Sequence, residues 1–150
     1  MALSPGQIVN SYEEESEAIM TRFSMNFDSS QIPVQYGNFG LLQAGNVTLQ
    51  DPDDSEQFVR FNLLGGPGSS PEITRTFTKV QGIISISIFT KRNLGSRKGR
   101  VVADKIYPFF SRVTFNGITT ESPTVVEVPP NNSWYQINMT IPYRWNRCLA

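Results

Sequence analysis

Histidine is absent from the 150-residue chain, and cysteine occurs once, as Cys148. Without histidine the commonest general base near neutral pH is missing, and the Ser-His-Asp and Cys/His-zinc arrangements are excluded in their usual forms. One cysteine cannot close an internal disulfide, which fits a protein made and folded in a reducing cytoplasm. No signal-peptide pattern opens the chain, and no apolar run reaches the roughly 20 residues that cross a membrane, so no membrane partner is expected. Net charge is missing too. Thirteen basic and thirteen acidic residues cancel, leaving no monopole to attract nucleic acid or an anionic bilayer and little to oppose self-association. An enzyme built here would have to work with carboxylates, lysine or tyrosine alone. The expectation is therefore a non-enzymatic protein with no cofactor and no metal.

What is present is enough for one domain, 1–150, with a core that needs no disulfide or metal staple. The most informative stretch runs from Val80 to Val113. Ile84, Ile86 and Ile88 alternate with Ser85, Ser87 and Phe89, the period of a strand with one face turned from the core. A basic loop follows, from Lys91-Arg92 through Gly95-Ser96-Arg97-Lys98-Gly99-Arg100. Val102, Ile106, Phe109, Phe110 and Val113 then recur at helical spacing, and the apolar stripe crosses Pro108 without a phase change, predicting a kink there. Burying all five would stabilise by roughly 8–15 kcal/mol before ordering entropy is subtracted.

Upstream, Ser4-Pro5-Gly6-Gln7 has the composition of a helix start, with Leu3 and Ile8 placed as a hydrophobic staple. Ile8, Tyr12, Ile19 and Phe23 would face the core, leaving Glu13, Glu14, Glu15 and Glu17 on other faces. Gln31 to Tyr36 predicts a short strand, with Pro33 at its start or on a sheet edge. From about 37 to 57 periodicity is lost and acids accumulate, which predicts a loop insertion. Asp51, Asp53, Asp54 and Glu56 lack the glycine and terminal glutamate spacing of an EF-hand. Phe58–Leu64 is a strand, and the following Gly65-Gly66-Pro67-Gly68 has no Gly-Lys-Ser/Thr ending and so is a turn, not a phosphate cradle. Ile73–Thr78 and Val80–Thr90 form one long strand or two, with Gly82 as a bulge.

Asn116-Gly117 marks a tight hairpin, and Thr124–Val128 is another strand. In the last strand Tyr135, Ile137, Met139, Ile141 and Tyr143 share one face, and Trp134, Gln136, Asn138 and Thr140 the other. Three Asn-x-Ser/Thr triplets, at Asn46, Asn131 and Asn138, are chance matches in a cytoplasmic protein. The fold class expected is α+β: a mostly antiparallel twisted sheet with an N-terminal helix and a second helix packed on it.

Several of these strings, in this order, resemble the tail-terminator and tail-completion proteins of long-tailed, lambda-type bacteriophages. They are the long strand running into Gly95-Ser96-Arg97-Lys98-Gly99, the helix with Phe109-Phe110, Val113-Thr114-Phe115-Asn116-Gly117-Ile118, and the closing Trp134 to Tyr143. The similarity is strongest over about 58–143. It implies a structural virion subunit, made in the host bacterial cytoplasm, that forms a homo-hexameric ring at the tail–neck junction. Such a ring caps the head-proximal end of the tail tube, ends its polymerisation and joins tail to neck. Its partners would be copies of itself, the tail tube protein and a neck or head-completion protein. Genomic DNA would pass through the lumen without sequence-specific binding.

A ring needs two unlike patches that fit each other. The sequence supplies an acidic set (Glu13, Glu14, Glu15, Glu17, Asp51, Asp53, Asp54, Glu56) and a basic set (Lys91, Arg92, Arg97, Lys98, Arg100). Cations in the first turn of a helix oppose its dipole, so an anionic neighbour is expected beside Arg97, Lys98 and Arg100. Two alternatives stand beside this reading. One is a neck or head-closure connector of the same virion. The other is a nucleic-acid-binding module using Phe58, Phe61, Phe77, Phe89 and Trp134 as stacking platforms, although the usual signature of sheet-based RNA readers is missing.

Overall fold

The computed structural model of the chain describes residues 4, 6–28, 32–36, 56–65, 77–91, 94–129 and 134–148, and the main chain of 41–43 and 47–49. The elements in order are α1 (Tyr12–Asn26), β1 (Val34–Tyr36), β2 (Leu41–Gln43), β3 (Val47–Leu49), β4 (Gln57–Gly65), β5 (Phe77–Lys91), α2 (Arg97–Phe110), β6 (Thr114–Phe115), β7 (Ile118–Thr120), β8 (Thr124–Val128) and β9 (Trp134–Cys148). The strands form one sheet in the order β3-β2-β1-β4-β5-β9-β7-β6, with β8 also paired to β9. Every pairing is antiparallel except that of β1 with β4. The fold is α+β.

β5 and β9 run side by side for 15 residues each, in register from Phe77 opposite Cys148 to Lys91 opposite Trp134. Side chains alternate across a strand, so this register sorts them. Val80, Ile84, Ile86 and Ile88 of β5 and Ile137, Met139, Ile141, Tyr143 and Trp145 of β9 are buried on one face. Both helices pack on that face. Ala18, Ile19 and Phe23 of α1 join Val102, Ala103, Ile106 and Phe110 of α2 in the same cluster, with Val34, Val59, Phe61 and Ile118.

Several expectations hold and several are corrected. β8 and the two-faced β9 form as predicted, and the hairpin turns at Asn116 (φ 49°) and Gly117 (φ 81°) as Asn-Gly turns do. α2 continues through Pro108, as the unbroken stripe predicts. Val113 lies beyond the helix, and Phe109 is only partly buried, so Val102, Ile106 and Phe110 carry the stripe. Pro33 precedes β1, but that strand is no edge: it lies between β2 and β4, and the Pro33 carbonyl accepts from Val59 N at 3.0 Å. The expected loop over 37–57 contains β2 and β3, short strands whose three-residue length hides their alternation.

The N-terminal expectation is wrong in position. α1 begins after Ser11, whose side chain accepts from Glu14 N at 3.1 Å, while the Glu14 carboxylate accepts from Asn10 N at 3.1 Å. Ser4 to Gln7 is a turn with Gly6 at φ 85°. Leu3, half of the expected staple, lies outside the described residues, and Ile8 is 68% exposed. Val9 is the buried residue here. Its N–H donates to Asn116 O at 3.0 Å, and the Asn116 amide donates to the Ser4 and Gln7 carbonyls at 3.1 and 2.7 Å, fastening the segment to the hairpin tip.

Gly82 is not a bulge, since the register passes through it unbroken on both sides. It lies opposite Tyr143, and a Cβ there would sit 2.4 Å from the Tyr143 hydroxyl and 2.5 Å from the adjoining ring carbon. Glycine is required because the phenol ring lies across the strand. Beneath that ring, Glu15 is buried and accepts from Trp145 Nε1 at 2.8 Å, instead of lying on a solvated helix side. Burial first, and then the Glu15 carboxylate, pushes the Tyr143 phenol up from its ordinary pKa. The Tyr143 hydroxyl makes no hydrogen bond of ordinary geometry, so we read its contact with Glu15 as electrostatic. Burial also raises the Tyr36 phenol to about 12.

Gly82→Ala is expected to cost about 1–3 kcal/mol, because the whole Tyr143 ring must shift to admit the methyl group. Urea unfolding of the two proteins measures it, and equal midpoints would contradict the packing described. A second outcome concerns alkali. The folded chain holds the Tyr36 and Tyr143 phenols neutral above their ordinary value of 10. Unfolding therefore releases protons at high pH, and stability is complete below pH 10 and falls as pH rises toward 12. Tyr36→Phe should flatten that fall in a urea-midpoint series across the same range.

Candidate interaction surfaces

The sequence-predicted residues occupy three places. Glu13, Glu14 and Glu17 lie on the first two turns of α1, where carboxylates complement the dipole. Glu13 is exposed and Glu17 half-buried. Glu14 is engaged locally, taking bonds from Asn10 N, Ser11 Oγ and Gln7 Nε2 at 3.1, 3.3 and 3.1 Å. Asp51, Asp53, Asp54 and Arg92 lie outside the described residues. Lys91 ends β5, where its N–H donates to Glu56 O at 2.9 Å.

Arg97, Lys98 and Arg100 stand exposed in the first turn of α2, where Ser96 supplies no side-chain cap. The anionic compensation expected there comes from the chain itself. Lys98 Nζ is 3.8 Å from a Glu56 oxygen, and Arg100 reaches both Glu127 oxygens, at 3.0 and 2.9 Å. The two-pronged hydrogen bond to Glu127, and then its charge, raises the Arg100 guanidinium further above its ordinary value. These pairs are solvent-exposed, so each contributes little to stability. They tie α2 to β8 through Glu127 and to the start of β4 through Glu56. Between α2 and β8 lies a groove of about 390 Å³ lined by Arg100, Ala103, Asp104, Val125, Glu127 and Ile137. Its lining offers one carboxylate beside an ion pair and no nucleophile. Among the described residues no group of three or more His, Cys, Asp or Glu side chains is placed to hold a metal ion.

The larger surface is the face of the sheet opposite the helices, which no described helix covers. Its side chains follow from the register: Arg60, Asn62 and Leu64 on β4, Lys79, Gln81, Ile83, Ser85 and Ser87 on β5, Gln136, Asn138, Thr140 and Arg144 on β9, and Val126 on β8. Leu64, Ile83 and Val126 are 54%, 39% and 54% exposed. Asn138, the one Asn-x-Ser/Thr site among the described residues, sits mid-strand and accepts from Ser87 Oγ and Gln136 Nε2 at 3.0 and 2.8 Å. At one end of this face Phe58 and Phe89 stack at 4.5 Å, with Trp134 edge-on to Phe58. The Arg60 guanidinium lies 5.1 Å over the Phe89 ring and its Nε donates to Gln35 at 2.9 Å.

Three of the five aromatic residues named as stacking platforms, Phe58, Phe61 and Phe89, are therefore unavailable for that role, while Phe77 and Trp134 are half-buried. Phe58 and Phe89 are 3% and 7% exposed and spend their faces on each other, and Phe61 is in the core on the helix side. The set that the sequence reading missed is Arg60, Lys79 and Arg144. A signal for it existed: each falls at an even or odd position fixed by the strand's apolar alternation, opposite to the core residues.

No family model matches the chain, and no curated protein matches it. A solved structure bearing no functional name is similar over 85% of this chain and 92% of its own length, with 13% identical residues and a TM-score of 0.60. At that identity the likeness shows the fold alone, an α+β sheet-and-helix domain found in another protein.

Proposed function

We propose that this chain is a structural subunit that closes into a ring and caps the head-proximal end of a bacteriophage tail tube. The resemblance of the strings from Phe58 to Tyr143 supports the tail-terminator reading. The observation that carries it in three dimensions is a pair of unlike flanks on one compact domain. One flank is the open sheet face with Leu64, Ile83 and Val126 exposed; the other is the helix side, where Ile8, Tyr12 and Met25 are 68%, 56% and 80% exposed. Head-to-tail contacts between such flanks generate closed rings when the rotation closes, whereas a single self-complementary patch gives a dimer.

In this reading the protein works by shape and charge and catalyses nothing. The ring meets the tail tube protein on one rim and a neck or head-completion protein on the other, and DNA threads its lumen without being read. Its place is the tail–neck junction of the virion. The mutual stacking and burial of Phe58 and Phe89 favour this over the nucleic-acid-binding alternative, because base stacking needs exposed ring faces.

The mass of the purified chain in solution, together with electron microscopy of the chain mixed with isolated tail tubes, tests the proposal. The expected result is a particle of about six copies seated at one end of each tube, with tube length fixed on its addition. Binding instead to isolated head–neck particles, with tubes left uncapped, would assign the chain to head closure. A monomer that ignores both would end the proposal.

A further inference from the structure

The charges of this neutral chain are sorted by strand alternation. On β4, β5 and β9 the side chains that point away from the helices include Arg60, Lys79, Lys91 and Arg144 and not one carboxylate. The outward positions of β8 (Thr124, Val126 and Val128) carry no charge either. Glu127 points to the helix side and is held by Arg100. Glu121, just beyond β7, is the nearby carboxylate, and it pairs with Arg144. Around these cations the face presents amides, hydroxyls and the exposed Leu64, Ile83 and Val126.

The outer side of α1 is its counterpart. Its first two turns hold Glu13, Glu14, Glu15 and Glu17 with no cation. The helix's one cation, Arg22, is turned inward, donating to the Phe109 carbonyl at 2.6 Å with its guanidinium over the Phe115 ring. Glu15 is likewise turned inward to Trp145. The solvent side keeps Glu13, with Glu17 half-buried, and at its N-terminal end Arg147 of β9 lies 5.6 Å over the exposed Tyr12 ring. The sheet face thus carries cations and no carboxylate from β4, β5 or β9, and the first two turns of α1 carry carboxylates and no cation of their own.

Resting on the ring reading above, we infer that the open sheet face of one copy receives the outer face of α1 from the next copy. Duplex DNA would be a poorer occupant of the sheet face. Its phosphates ask for a dense field of unengaged cations, whereas here Arg144 is paired with Glu121, Arg60 is spread on Phe89, and the exposed Leu64, Ile83 and Val126 have no partner on a phosphate backbone. Complementary charge selects the orientation and suppresses the wrong one, since like charges placed together across an interface repel. Sheet-on-helix contact repeated in one sense is heterologous, as a ring requires.

The test is a charge swap on the full chain, read as solution mass, with thermal melting to confirm that each variant is folded. Arg60→Glu with Lys79→Glu should raise the concentration needed for assembly by roughly tenfold or more. Glu13→Lys with Glu17→Lys should do the same. The chain carrying all four changes should assemble near the wild-type concentration, because the two faces again carry opposite signs. Wild-type chain that never assembles, alone or on tail tubes, overturns the ring reading and this inference with it. Wild-type rings that survive either pair of reversals leave the ring standing and overturn the assignment of faces. Failure of the fourfold variant to recover assembly shows that the two faces do not meet. A sheet-face variant that keeps its mass but loses affinity for duplex DNA would give that face to nucleic acid instead.

Discussion

Everything in this molecule is referred to the register between β5 and β9. Fifteen residue pairs in one unbroken antiparallel ladder fix which side of the sheet each side chain occupies. A slip by one residue would carry Ser85, Ser87, Asn138 and Thr140 into the core and expel Ile84, Ile86, Met139 and Ile141. The helices have no independent reason to lie where they do. Each is an amphipathic segment of 14 or 15 residues, close to the length below which isolated helices are marginal in water. They are held by the apolar face that the ladder creates.

That face buries Glu15, Thr90 and Thr120, and the groups around Glu15 depend on each other. Glu15 lies buried under β9, satisfied by the Trp145 indole N–H. The Tyr143 ring beside it lies flat across β5 because residue 82 has no side chain. Burying a carboxylate without a partner is costly, so α1 is seated correctly only when its first turn meets that indole. On the other end of α1, Arg22 donates to the Phe109 carbonyl near the C-terminus of α2, where a cation complements the helix dipole. The two contacts bracket α1 between the sheet and the second helix.

The same sorting determines what the exterior can do. A formal charge of zero describes a molecule whose sheet face is cationic and whose first helix is acidic along its outer side. Lys98 and Arg100, which the sequence offers as a docking patch, are drawn instead to Glu56 and Glu127 of their own chain. Opposite-charge flanks joined by apolar side chains are the surface an assembling subunit needs, and they connect the ladder directly to the proposed ring.

How much of this was legible in the sequence follows from the range over which each feature is decided. Strand β9, strand β8, the Asn116-Gly117 hairpin and three of the five stripe residues of α2 rest on patterns within a dozen residues, and they are read correctly from them. Strands β2 and β3 are too short to show a period. The true helix start at Ser11 is obscured by a second capping pattern at Ser4, where Gly6 turns the chain instead. Glu15 sits in a run of three glutamates, and nothing local distinguishes the one that meets an indole 130 residues away.

By itself, then, the sequence determined the absence of histidine and disulfide chemistry, the α+β class and the two-faced central strands, because composition and short-range periodicity are properties of the chain alone. Only the tertiary structure decided that Glu15 is interior, that Gly82 makes room for a ring, that Glu56 and Glu127 claim the basic turn, and that Arg60, Lys79 and Arg144 share one open face. Those outcomes depend on register between segments far apart in the chain, and register is set when the sheet closes against its helices.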